Sequence, residues 1–77
     1  MAGKVTKNMS KKAVGKRIRT WRKANGMTLA QVCKIIGIAL GTLSELENGL
    51  TYPSAQTLAK FEKYTDINIR YVLLGER

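Results

Sequence analysis

The sequence has no histidine, a single cysteine (Cys33) and a single proline (Pro53). Without histidine, the commonest general base and the commonest metal ligand are both missing. One cysteine permits no internal disulfide, which suits a reducing cytoplasm, the expected location. It also permits no cysteine-histidine cluster of the zinc-binding kind. The acids suggest no catalytic pair, so an enzyme is not expected. Nothing in the composition indicates a cofactor, a metal or a small-molecule ligand. There is no apolar run of about 18 residues, so no membrane span is expected. The basic stretch MAGKVTKNMSKK has no apolar segment after it and does not read as a signal peptide.

A more local absence carries more information. Residues 1–44 hold ten Lys or Arg and not one acid, while all five acids lie in residues 45–77. The formal net charge of the 77 residues is +9. A one-sided basic half points to a polyanionic partner, nucleic acid first and an acidic membrane surface second. The plain alternative is a solvated, soluble surface. The length allows one domain, with 44% hydrophobic residues for a small core. A chain of this size buries only about 60% of its unfolded surface, so modest stability is expected.

Periodicity divides the chain into short helices. Residues 1–10 show none and are expected to be a flexible basic arm. From Lys11 to Asn25, Val14, Ile18, Trp21 and Arg22 share one helical face. Trp21 is assigned to packing. Asn25-Gly26 ends that helix. Thr28 and Gln31 have the spacing of a capping box, and a helix follows with Leu29, Val32, Cys33 and Ile36 on its apolar face. Gly37 breaks it. A third helix is expected from Ala39 to Asn48, burying Leu43 and Leu46, with Gly49 as its stop. Ser54 can cap a fourth through Tyr64, burying Leu58 and Phe61, and Asn68 a fifth, burying Ile69, Val72 and Leu73. The expected class is all-α, with five helices and no strand.

Two short helices joined by a tight Gly-containing turn make a helix-turn-helix unit, although helical hairpins of other kinds share that outline. Three pieces add specificity: IRTWRKANGMTLAQVCKIIGI, LSELENGLTYPSAQTLAKF and INIRYVLLG. In this order and spacing they resemble the helix-turn-helix domain of the phage repressor and Cro family, also called the xenobiotic-response-element family. The resemblance implies a repressor-like domain over 11–75, a helix-turn-helix motif over 29–48 and a recognition helix over 39–48. It also implies binding to double-stranded DNA as a homodimer on a palindromic site, and a role in regulating transcription.

The same resemblance assigns residues. Arg22 and Glu47 match the family's internal ion pair. Ala39, Leu40, Gly41, Thr42, Ser44 and Glu45 match the base-reading positions. Here the chain departs from the family pattern, because Ala39, Leu40 and Gly41 offer apolar contact and close approach but no bidentate hydrogen bonding. Glu45 fits either a base contact or a solvent-exposed acid. Leu29 stands where Gln is frequent, leaving Thr28, Gln31 and the helix amides to meet a phosphate. Asn48, Gly49 and Thr51 are further phosphate candidates, as are Lys11, Lys12 and Lys16 for sequence-independent attraction. Leu50, Tyr52, Tyr71 and Leu74 exceed the needs of so small a core and are candidates for a two-fold interface. Cys33 is read as a small buried hydrophobe.

A phage repressor, a restriction-modification controller and an autoregulating antitoxin all fit this reading. The alternative is a basic nucleic-acid-binding or protein-interaction module on the same scaffold, without specific readout.

Overall fold

The computed structural model describes residues 7–76. Five α-helices follow a short 3-10 turn at Lys7–Met9, and the described residues contain no strand. They are α1 (Lys11–Ala24), α2 (Leu29–Ile36), α3 (Leu40–Glu47), α4 (Ala55–Tyr64) and α5 (Ile69–Leu74).

Side-chain caps set most of the starts. Ser10 accepts from the Ala13 amide at 3.1 Å, Ser54 from Thr57 at 3.1 Å and Asn68 from Tyr71 at 3.0 Å. Each satisfies an amide that the first helical turn leaves without a partner. At α2 the bond is reciprocal. Thr28 Oγ1 accepts from the Gln31 amide at 3.1 Å, and Gln31 Oε1 accepts from the Thr28 amide at 2.8 Å. Helix α3 is the exception, since its N-cap Ala39 supplies no such bond.

The core collects one or more apolar residues from every helix. Val14 and Ile18 of α1 meet Val32, Cys33 and Ile36 of α2, Leu43 and Leu46 of α3, Phe61 of α4 and Val72 of α5, with Ile67 from the preceding loop. Full burial of a side chain of this kind contributes about 1.5–3 kcal/mol. Trp21 is half-buried, with its ring edge-on to Phe61 at 6.0 Å and its Nε1 donating to Asp66 at 3.1 Å.

Three expectations need correcting. Leu58 is only half-buried, and Thr57 takes the inward position beside Phe61. Ile69 and Leu73 are likewise half-buried and leave Val72 as the buried residue of α5. The expected arm is structured at its C-terminal end, where Lys7–Met9 form the 3-10 turn and Ser10 caps α1. Long-range bonds hold this turn. Arg17 donates to the carbonyl of Asn8, and the Tyr52 hydroxyl donates to that of Met9 at 2.9 Å. The remainder of the expected arm, residues 1–6, lies outside the described residues.

Two glycines position the central unit. Gly37 ends α2 with φ +74°, the left-handed conformation that glycine adopts at little cost. The chain then turns, and α2 and α3 lie at 117° to one another. Gly15 acts by its size. A Cβ there would sit 2.0 Å from the carbonyl oxygen of Leu46, so α1 and α3 approach backbone to backbone. No single helix among the described residues is long and apolar enough to cross a membrane.

Candidate nucleic-acid interface

Helix α3 is two-sided. Leu43, Leu46 and Glu47 face inward, while Leu40, Gly41, Thr42 and Glu45 are exposed. Ala39 is exposed immediately before them. Ser44 is half-buried, and its hydroxyl accepts from the Asn48 side-chain amide at 3.4 Å. Leu40 is 53% exposed. Nothing lies within 4 Å of a Cβ built on Gly41, so its surface is open. The outer face therefore carries two short hydrogen-bonding groups, Thr42 and Ser44, one carboxylate and an apolar first turn.

The inner face is anchored by charge. Glu47 is buried and accepts from Arg22 through both oxygens, at 2.7 Å from Nε and 2.8 Å from Nη2. Arg22 Nη1 donates to the Met27 carbonyl at 2.9 Å, so the guanidinium also braces the α1–α2 connection. The bond to Glu47 raises the Arg22 pKa further than burial lowers it, and the guanidinium stays charged. Buried charges are tolerable when paired and hydrogen-bonded in this way. Arg19 approaches the same carboxylate from the surface, at 3.4 Å.

The phosphate candidates occupy separate places. Thr28 and Gln31 sit on the exposed N-terminal turn of α2, and there their side chains complete the capping box. Lys12, Lys16 and Asn48 line one open cleft together with Arg19, Thr20, Lys23 and Glu47. Lys11 instead stands over the Tyr52 ring at 5.7 Å. Gly49 packs against Lys12, and Thr51 is exposed in the following loop. The sequence reading singled out neither Arg19 nor Lys23. Their spacing from Lys16 along α1 is the only sequence signal for them.

The interface candidates are divided as well. Leu50 is 63% exposed, and Tyr52, at 43%, is tied to Met9 and Lys11 within the chain. Tyr71 is half-buried with Arg17 over its ring at 5.8 Å, and Leu74 is half-buried. Cys33 is buried, and desolvation pushes its thiol pKa up. No His/Cys/Asp/Glu grouping among the described residues is able to hold a metal ion.

Residues 18–72 match the family model described as Helix-turn-helix. Two curated relatives are the HTH-type transcriptional regulators SinR of Bacillus licheniformis and of Bacillus subtilis (strain 168). Each is 35% identical over 65 residues, 83% of this chain. The chain spans 58% of the length of these relatives. No solved structure matched. The match covers all of α2, α3 and α4, with Gly37 between the first two, and parts of α1 and α5, and the chain belongs to the helix-turn-helix family.

Proposed function

We propose that this protein is a cytoplasmic DNA-binding transcriptional regulator, a repressor that reads the major groove of double-stranded DNA with α3. It acts as a homodimer on a palindromic operator. The observation that carries the reading is the two-sidedness of α3. The inner face is fixed by Leu43, Leu46 and the Arg22–Glu47 bridge, leaving Leu40, Gly41, Thr42 and Glu45 outward on a helix narrow enough for the groove. Leu40 suits a thymine methyl, Thr42 and Ser44 suit base-edge hydrogen bonds, and Glu45 suits a cytosine amino group. The exposed lysines of α1 suit the phosphate backbone. Leu50, Tyr52, Tyr71 and Leu74 are the surfaces for the second protomer.

A second reading draws on the first turn of α3. Ala39, Leu40 and Gly41 carry no side-chain hydrogen-bonding group, which favours a basic module without specific readout. Selection of bound duplexes from a random pool separates the two. The operator reading expects a palindromic consensus whose half-sites are about one helical turn apart. Equal affinity for selected and random duplexes at physiological salt would leave only the non-specific module.

A further inference from the structure

The cleft between α1 and the end of α3 has a charge that the fold does not use. Lys12, Lys16, Arg19 and Lys23 line it, at spacings that bring them to one face of α1. Lys12, Lys16 and Lys23 make no ion pair among the described residues. The carboxylate in the wall is Glu47, and Arg22 already neutralises it through two short bonds. Arg19 is therefore surplus. Its Nε reaches Glu47 at 3.4 Å, while its side chain is 48% exposed. A guanidinium has five N–H donors, and those on the Arg19 terminal nitrogens make no hydrogen bond among the described residues.

We propose that this cleft is a track for DNA backbone phosphates, with Arg19 as its central donor and Glu47 as the residue that positions it. The proposal rests on the DNA-binding reading above, which gives the α1 lysines to the backbone, and adds to it Arg19 as a donor held in place by Glu47. From Lys12 to Lys23 the track runs about 16 Å along the helix. One strand of duplex carries a phosphate roughly every 3.4 Å of axis, so the track is long enough for more than one. Asn48 stands at the junction, lining the cleft from the C-terminal end of α3. A strand held along α1 thus passes the end of the recognition helix. The planar fork of Arg19 suits phosphate oxygens, and its hold on Glu47 limits the rotamers it must give up on binding.

The test is the salt dependence of duplex binding by the full chain. Arg19→Gln and Lys23→Gln are compared with Lys63→Gln, a charge removal on α4, using one selected duplex and one random duplex. Thermal melts accompany each variant. Removing a side chain that neutralises one phosphate lowers the log–log salt slope by about 0.9. The track predicts that drop for Arg19→Gln and Lys23→Gln on both duplexes, with the ratio of the two affinities unchanged. It also predicts that Arg19→Lys, which keeps the charge, recovers most of the slope. Slopes equal to that of Lys63→Gln would overturn the track and leave the operator reading standing. A weakening confined to the selected duplex would overturn it too, because a phosphate contact is blind to sequence. Failure of the wild-type chain to bind either duplex would overturn both readings.

Discussion

Arg22 and Glu47 form a two-pronged bridge in which each carboxylate oxygen accepts one guanidinium N–H, at 2.7 and 2.8 Å, with the two side chains 10% and 2% exposed. The bridge joins α1 to the C-terminal end of α3. Removing one partner leaves the other as an uncompensated charge, which costs about 3–5 kcal/mol. Glu47→Ala is therefore expected to lower the melting temperature steeply. Arg22→Ala should do the same, because it also frees the Met27 carbonyl. Arg19→Ala, at the exposed side of the carboxylate, should cost under about 1 kcal/mol. Circular dichroism melts of the three variants check this order.

Gly15→Ala sets two effects against each other. Alanine is the better helix former by about 1 kcal/mol. Its Cβ, however, would meet the Leu46 carbonyl oxygen at 2.0 Å, and backbone cannot rotate out of the way. Overpacking of a rigid contact costs about 1–3 kcal/mol or more. The variant is expected to be less stable than wild type by a few kcal/mol in urea denaturation, and an increase in stability would remove the close approach of α1 and α3.

Gly41→Ala should behave in the opposite way. The site is helical and open, so alanine is expected to stabilise the protein by about 0.5–1 kcal/mol. If α3 lies in the groove, the added methyl group also stands at the DNA surface and should change affinity for the selected duplex. A melt and a titration on the same variant separate the two effects.

Cys33 supplies a pH dependence. Its pKa is raised, first by burial and then by the nearby Glu47 charge. A thiol whose folded pKa lies above its unfolded value binds its proton more tightly when folded. Its contribution to stability is complete below the unfolded value, near pH 8.5, and is lost as pH rises through the folded value. Urea midpoints between pH 7 and 10 should therefore fall less in Cys33→Ala than in wild type. Thiol labelling of the folded protein should be slow at pH 8, since the reactive thiolate is suppressed.

The helices were legible because their signals are local. Thr28, Ser54 and Asn68 cap the amides three residues on, and apolar spacing marks the buried faces. What escaped notice depends on partners far along the chain. The turn at Lys7–Met9 is held by Arg17 and Tyr52, and nothing in its own composition marks it. Gly15 reads in sequence as a weak spot in a helix, and only the position of Leu46 shows why a side chain is absent there. Leu58 fits a buried pattern, yet Thr57 takes the inward place, its backbone amide already satisfied by Ser54. In the candidate interface, the pairing of Arg22 with Glu47 enters from the family resemblance. The approach of Arg19 to the same carboxylate has no counterpart in any motif.

The meeting of Gly15 with the Leu46 carbonyl has one more consequence. Side chains between two helices act as adjustable shims, changing rotamer to absorb a substitution nearby. Here there is no shim, and main chain rests on main chain. The height at which α3 stands above α1 is thus a fixed dimension of the scaffold. Exchanging Leu40, Thr42 or Glu45 would rewrite the letters on the outer surface without moving the line on which they are written.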